Sequence, residues 1–219
     1  MASKFEAIHW DMDGVIADTE PLHVAAERQT CVDYGFDVDP DDWSGFKGRT
    51  AQDIFSHLIK NYGNPKIHKV SDLIDHKTDV FLERAKTDLQ PIEGVLDFME
   101  WAREAHEKMS LVTSSNRRIQ TFIIDALNIR DMFDTLVNGD DITNGKPHPE
   151  PYQMAIAALG VGADRSLVVE DSTSGIRSGQ AAGCSVLAIA TSHTPEELEH
   201  ANPDFIAENY KQAREILIG

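Results

Sequence analysis

Short apolar runs alternate with longer amphipathic segments along most of the chain. The runs are five or six residues long and each is closed by polar or small residues, a pattern typical of buried strands. They lie at 5–10, 109–113, 135–139, 166–171 and 185–190. Segments of helical length and pattern lie between the later runs, at 93–107, 117–128, 149–160 and 174–183. Strands that alternate with helices in this way predict βαβ units and an α/β fold with a parallel sheet.

One long interval interrupts the alternation. Between 19 and 88 the pattern contains no strand, and amphipathic stretches such as 51–62 carry their apolar residues at helical spacing. This predicts an all-helical cap inserted after the first strand, with two chain crossings that can serve as a hinge. The expected domains are an α/β core of 1–17 and 89–219 and a helical cap domain of 18–88.

Composition narrows the class of protein. The chain has 219 residues, of which 41% are hydrophobic and 26% charged, as in ordinary soluble proteins. The formal net charge of −17 argues against nucleic acid and anionic membranes as partners, because both require a basic surface. Cys31 and Cys184 are far apart and outside any metal-binding spacing, which favours a reducing compartment. Without a secretory pattern or a membrane-length apolar run, a cytoplasmic location is expected.

Polar clusters follow four of the predicted strands. Ligands of open parallel sheets bind beyond the carboxyl ends of the strands, so clusters at those ends can converge on one crevice. In chain order the clusters are Asp11 with Asp13, the run Thr113–Ser115, Lys146, and Glu170 with Asp171.

The residue types in these clusters indicate a chemistry. Asp11, Asp13 and Asp171, with Glu170 beside them, supply the oxygen ligands that Mg²⁺ prefers. The hydroxyl and backbone N–H groups at Thr113 and Ser114 suit a phosphate at a helix start. Lys146 adds a compact positive charge that can neutralise the phosphate. A carboxylate nucleophile in such a set predicts phosphoryl transfer through an aspartyl-phosphate, with Asp13 as the acid and base.

Each cluster also has an ordinary structural explanation when it is taken alone. Asp and Gly are common in turns, Thr and Ser cap helices, and most loop lysines are simply solvated. Four such clusters at four successive strand ends favour the functional interpretation.

The motifs resemble those of a known superfamily. The set "DMDGVIADTE", "LVTSSN", "GKPHPEPY" and "VVEDSTSGI" is similar, in order and separation, to the haloacid dehalogenase-like superfamily, within it to the β-phosphoglucomutase-like and helical-cap phosphatase members. The resemblance covers nearly the whole chain and implies a Rossmann-like core. It implies that Asp11 is the nucleophile and a metal ligand, and that Asp13 is the acid/base and binds the metal through its backbone carbonyl. Thr113 and Ser114 would bind the phosphoryl group, and Lys146 would bridge the nucleophile and the phosphate. Asp171 would bind Mg²⁺, and Glu170 would bind it directly or support its ligands.

The predicted cap bears on the choice between phosphatase and mutase. In the stretch 43–53, the pattern around Lys47 resembles that of the mutases, which carry a phosphate-binding arginine at the position of Ala51. Arg49, in the run Gly48–Thr50, resembles the pattern of the simple phosphatases. Lys47 and Arg49 are therefore the candidate substrate contacts of the cap. Bidentate arginine recognition is the natural device for holding a bisphosphate, so its absence at position 51 favours hydrolysis.

The expected protein is thus a Mg²⁺-dependent phosphatase of a small phosphorylated metabolite, with sugar phosphates the leading class. A β-phosphoglucomutase-like phosphosugar mutase remains the alternative. A non-catalytic phospho-acceptor domain is a further one, although such domains are shorter and lack the helical insertion. The oligomeric state stays open, with a monomer favoured.

Overall fold

The structure is a computed structural model that describes residues 5–46 and 50–218. The chain divides into two compact units, Met1–Asp18 with Gln90–Gly219, and Thr19–Leu89. In the described part of the first unit the strands are β1 (Ala7–Trp10), β2 (Lys108–Val112), β3 (Thr135–Val137), β4 (Ser166–Glu170), β5 (Ser185–Ile189) and β6 (Phe205–Ala207).

These strands form one parallel sheet in the order β3-β2-β1-β4-β5-β6. β1 lies inside the sheet, where Ile8 pairs with Met109 of β2 and with Leu167 of β4. All four residues of β1 and all five of β4 are buried, as expected for strands covered on both faces. The carboxyl ends of β2, β1 and β4 therefore lie side by side. The predicted α/β fold with a parallel sheet and an inserted helical segment is confirmed.

Four helices of the first unit match the predicted segments, and two further helices follow them in the chain. The helices of the first unit are α4 (Val95–Ala105), α5 (Arg117–Ala126), α6 (Glu150–Leu159), α7 (Thr173–Ala181), α8 (Pro195–Glu199) and α9 (Tyr210–Ile218). Those of the second unit are α1 (Glu20–Asp33), α2 (Ala51–Tyr62) and α3 (Val70–Asp88). The elements β6, α8 and α9 were not predicted. β6 has three residues and α8 five, and such short segments carry too few positions to establish a period.

In the described residues of the second unit the regular structure is helical, with a 3₁₀ segment, Pro40–Gly45, between α1 and α2. Thr50 caps the start of α2, since its side chain accepts a hydrogen bond from the backbone N–H of Asp53. Its apolar face buries Phe55 and Leu58 completely, and both belong to one cluster with Leu73 of α3. This packing accounts for the helical spacing of apolar residues in the sequence.

Within the first unit, the segments on either side of the insertion pair with each other. The backbone N–H of Asp18 donates to the carbonyl of Gln90 at 3.0 Å, and that of Ile92 donates to the carbonyl of Ile16 at 2.9 Å. The chain thus leaves and re-enters the sheet unit at adjacent points. No helix in the described residues combines the length and apolar character needed to cross a membrane.

Candidate active site

Lys146 lies at the centre of a buried group of charges. Its Nζ donates to Oδ1 of Asp11 at 2.5 Å, to Oε1 of Glu170 at 2.7 Å and to the carbonyl of Val112 at 3.1 Å. The three acceptors match the three protons of an ammonium group. The Lys146 side chain is only 6% exposed. Burial opposes its charge, but Asp11 and Glu170 outweigh it and raise the Lys146 pKa well above its ordinary value, so the ammonium stays charged.

Three buried carboxylates surround one point of the site. Oxygen atoms of Asp11, Glu170 and Asp171 all lie within 4.8 Å of one another. Burial raises the pKa of Asp11 well above its ordinary value, although Lys146 opposes the rise, and burial together with Glu170 raises the pKa of Asp171 to about 7. One ammonium does not balance three carboxylates in a low-dielectric site. The donor set, all hard oxygen, therefore fits a divalent cation that would restore the balance.

Glu170 is held at both carboxylate oxygens. Oε1 accepts from Lys146 and from the Tyr152 hydroxyl at 2.9 Å, while Oε2 accepts from the Ser172 hydroxyl, also at 2.9 Å. Gly175, in α7, leaves the necessary space, because a Cβ there would lie 1.7 Å from Oε1 of Glu170. Burial, and next the charge of Glu170, raise the Tyr152 pKa well above its ordinary value, so its hydroxyl keeps the proton that it donates.

Asp13 is tied to the loop that follows β2. Its Oδ2 accepts from the hydroxyls of Thr113 and Ser115, each at 2.9 Å. The Thr113 hydroxyl in turn accepts from the backbone N–H of Ser115 at 3.0 Å. Asp13 is half-buried, whereas Thr113 is buried and the Ser114 side chain is exposed. Asp13 of the first polar cluster is therefore in direct contact with the hydroxyls of Thr113 and Ser115 of the second.

The turn after Asp13 depends on a glycine and on two hydroxyls from distant elements. Gly14 has a φ of +78°, and a Cβ there would lie 2.0 Å from Oδ2 of Asp171. The Thr191 hydroxyl donates to the carbonyl of Gly14 at 2.5 Å, and the Tyr210 hydroxyl donates to the carbonyl of Val15 at 2.6 Å. The turn is thus fixed from the loop after β5 and from α9.

Most of the predicted site residues meet at this edge of the sheet. The structure brings together Asp11, Asp13, Thr113, Lys146, Glu170 and Asp171, and it places Ser114 beside them in the chain. Lys47 and Arg49 lie outside the described residues.

Two further residues of the site were not singled out from the sequence. Ser115 was noted only as part of a polar run, and Tyr152 only as part of a helical segment. For Tyr152 a signal was present, since it shares an apolar face with Ala155 and Leu159, and a tyrosine on a buried face usually finds a partner for its hydroxyl.

Several known proteins are similar to this chain in sequence and in fold. The family model of the haloacid dehalogenase-like hydrolases matches residues 8–189. A phosphorylated carbohydrates phosphatase of Thermotoga maritima is 32% identical over 181 residues, which cover 81% of this chain and 82% of the relative. The crystal structure of CbbY from Rhodobacter sphaeroides in complex with phosphate has a TM-score of 0.85 at 26% identity and covers 94% of this chain and 95% of its own. That of a putative β-phosphoglucomutase from Thermotoga maritima has a TM-score of 0.77 at 26% identity and covers 97% and 100%.

A parallel sheet with a buried carboxylate–lysine cluster at the carboxyl ends of its central strands defines the class as a haloacid dehalogenase-like phosphoric monoester hydrolase. The chain belongs to the haloacid dehalogenase-like hydrolase family. The similarity to phosphatases and to β-phosphoglucomutase confirms the predicted subgroup.

Proposed function

We propose that the protein hydrolyses a small phosphomonoester, with sugar phosphates as the leading class, through a Mg²⁺-dependent aspartyl-phosphate on Asp11. The observation that carries the proposal is the position of Lys146 between Asp11 and Glu170, with Asp171 adjoining them. A lysine that holds one oxygen of a buried carboxylate leaves the other oxygen free to act as a nucleophile. The similarity to a phosphatase of phosphorylated carbohydrates supports the substrate class.

Two displacements make up the proposed reaction. An oxygen of Asp11 attacks phosphorus, the bond to the leaving oxygen breaks, and Asp13 donates the proton that this oxygen needs. Asp13, now a carboxylate, takes a proton from water as the water attacks the aspartyl-phosphate, which regenerates Asp11 and releases phosphate. Thr113 and Ser114 hold the phosphoryl oxygens in this scheme, and Lys146 neutralises part of their charge.

Asp11, Asp13, Glu170 and Asp171 are the residues proposed to hold Mg²⁺. When bound, the ion supplies positive charge that orients the phosphoryl group and stabilises its developing negative charge. The buried acidic oxygens within 4.8 Å of one another support this ligand set. The role of Asp13 as a ligand rests on the family resemblance.

The two predicted domains are proposed to divide the work. The core of 1–17 and 89–219 carries the chemistry, and the cap of 18–88, with Lys47 and Arg49, selects the substrate, a small phosphorylated metabolite. A cytoplasmic location and a monomer are part of the same proposal. A phosphosugar mutase is the second candidate, favoured by the similarity to a putative β-phosphoglucomutase, whereas Ala51 favours hydrolysis.

The test is phosphate release from a panel of phosphorylated sugars, with Mg²⁺ and with EDTA. We expect release only with Mg²⁺, and none from Asp11→Asn, because an amide is a poor nucleophile and cannot form the acyl phosphate. Circular dichroism checks that this variant is folded. Isomerisation of glucose 1-phosphate to glucose 6-phosphate, dependent on the 1,6-bisphosphate and without net release, would establish the mutase instead. Full activity of Asp11→Asn would contradict the mechanism.

A further inference from the structure

Tyr152 is a buried residue of α6 whose hydroxyl reaches the charged cluster. Its side chain is fully buried, and the hydroxyl donates to Oε1 of Glu170 at 2.9 Å. A phenylalanine would fill nearly the same volume without placing a polar atom in the interior, where a polar atom must be paired. The hydroxyl therefore does something that packing alone does not require.

The acceptor of this hydrogen bond is also one of the three atoms that orient Lys146. Lys146 Nζ lies 2.7 Å from Oε1 of Glu170 and 2.5 Å from Oδ1 of Asp11, and the third proton goes to a backbone carbonyl. Since an ammonium group on a flexible stem takes its position from its acceptors, a shift of Oε1 moves Nζ relative to Asp11.

The two oxygens of Glu170 have separate supports. Oε2 accepts from the backbone N–H and the hydroxyl of Ser172 and from the N–H of Asp171. These contacts fix one end of the carboxylate close to its own chain. The other end, Oε1, accepts from Lys146 itself and from the Tyr152 hydroxyl. The orientation of Oε1 thus depends on the tyrosine hydroxyl.

The aromatic ring makes a second contact with the same lysine. Lys146 Nζ lies 5.0 Å from the centroid of the Tyr152 ring, within the range of a cation–π interaction. Tyr152→Phe keeps this ring contact and removes only the hydroxyl, so it separates the two contributions.

We propose that the Tyr152 hydroxyl is a positioning group that fixes Oε1 of Glu170 and thereby holds the Lys146 ammonium on Oδ1 of Asp11. The inference rests on the proposed function, in which Asp11 is the nucleophile. The Tyr152 hydroxyl donates to Glu170 and not to the proposed nucleophile, so it acts through Glu170 and Lys146.

The first test compares Tyr152→Phe with the parent enzyme. We expect kcat to fall about 10- to 100-fold, the size of a lost hydrogen bond to a charged group, and KM to change far less, because the proposed phosphate-binding residues Thr113 and Ser114 are untouched. Tyr34→Phe is the matched control, since it removes a tyrosine hydroxyl that donates to the Asp72 carbonyl in the helical unit, at 3.3 Å. Its kcat should equal that of the parent.

A double-mutant cycle asks whether the effect passes through Glu170. We expect Tyr152→Phe to cause no further loss of kcat in a Glu170→Ala background, because the acceptor that it positions is already gone. Losses that multiply in the double variant would overturn the proposed route.

A measurement without substrate separates this inference from the proposed function. The ¹⁵N and ¹H signals of the buried Lys146 ammonium, assigned by their loss in Lys146→Met, should shift in Tyr152→Phe and stay in place in Tyr34→Phe. A parent protein without phosphatase activity would refute the proposed function, and the ammonium signals alone would then decide the positioning role. An unchanged Lys146 signal, or an unchanged kcat in an active parent, would overturn the inference.

Discussion

The charge balance of the site follows from a few side chains. Lys146 is the ammonium at its centre, while Asp11, Glu170 and Asp171 bring three carboxylates into the same buried region. Each carboxylate is costly to bury unless it is paired, and Lys146 pairs directly with two of them. The carboxyl groups that Lys146 does not balance hold protons more tightly, as the raised pKa values of Asp11 and Asp171 show, and a divalent cation would take the place of those protons.

Gly175 provides a residue-scale test of this arrangement. A Cβ at this position would overlap Glu170, at 1.7 Å from Oε1 and 2.1 Å from Oε2. We expect Gly175→Ala to displace the carboxylate and to lower kcat by about 100-fold, because a displacement of about 1 Å at a reacting site has that effect. Alanine is otherwise favoured over glycine inside a helix by about 1 kcal/mol, so helix propensity cannot explain a loss.

Gly145→Ala is the matched control, because a Cβ there has no heavy atom within 4 Å. Its kcat, measured in the same steady-state assay, should remain at the parental value. Parental kcat in Gly175→Ala would mean that the exact place of Glu170 has no bearing on turnover.

At the scale of the secondary-structure elements, the residues of the site lie at the carboxyl ends of strands. β1 and β4 end at the two acidic clusters, and β2 ends at the hydroxyl cluster, so the sheet order brings all three together. The loop between β5 and α8 supports the site from the side, since His193 Nδ1 lies 2.9 Å from the Asp171 carbonyl oxygen and Thr191 bonds to Gly14. The start of α8 therefore contributes to the geometry of the site.

Thr194 tests the contribution of that helix start. Its side chain accepts from the backbone N–H of Glu197, and the Glu197 side chain accepts from the backbone N–H of Thr194, which makes a capping box. We expect Thr194→Ala to lower the free energy of unfolding by about 1 kcal/mol, the usual effect of losing an N-cap, measured by urea denaturation.

Glu199→Ala, at the exposed far end of α8, should change the same free energy by less than about 0.5 kcal/mol. Equal effects of the two substitutions would show that the capping box adds nothing to stability.

The whole molecule carries a net charge of −17, and the proposed metal site in its acidic cluster predicts a link between metal binding and stability. A ligand that binds only the folded state raises the free energy of unfolding, by about 2.7 kcal/mol at 100 times its Kd. We expect Mg²⁺ to raise the thermal midpoint relative to EDTA, measured by calorimetry. Asp171→Asn should lose this response, and in EDTA it should be at least as stable as the parent, because one buried negative charge is gone.

Asp131→Asn removes an exposed carboxylate elsewhere in the first unit and should keep the full response to Mg²⁺. A midpoint that Mg²⁺ leaves unchanged in the parent would contradict a metal site in the folded protein.

The local pattern of apolar and polar residues was sufficient to predict much of the fold. The runs at 109–113 and 185–190 correspond to β2 and β5 to within one residue, because a buried strand and its closing residues are contiguous in the chain. β6, with three residues, was missed, since its pairing with β5 rather than its own pattern makes it a strand. Tyr152 was assigned to a helix correctly, but its partner Glu170 lies 18 residues away.

The alternation of strands and helices, the helical insertion and the residue types at the strand ends could be predicted from the amino-acid sequence, because these are properties of neighbouring positions. Which atoms meet depends on the tertiary structure. Asp11 and Lys146 are 135 residues apart, and Asp13 and Ser115 are 102 apart, so their contacts depend on the strand order and on how each loop leaves the sheet. Hydrogen bonds form over a few tenths of an ångström, a precision that packing sets and that periodicity along the chain does not contain.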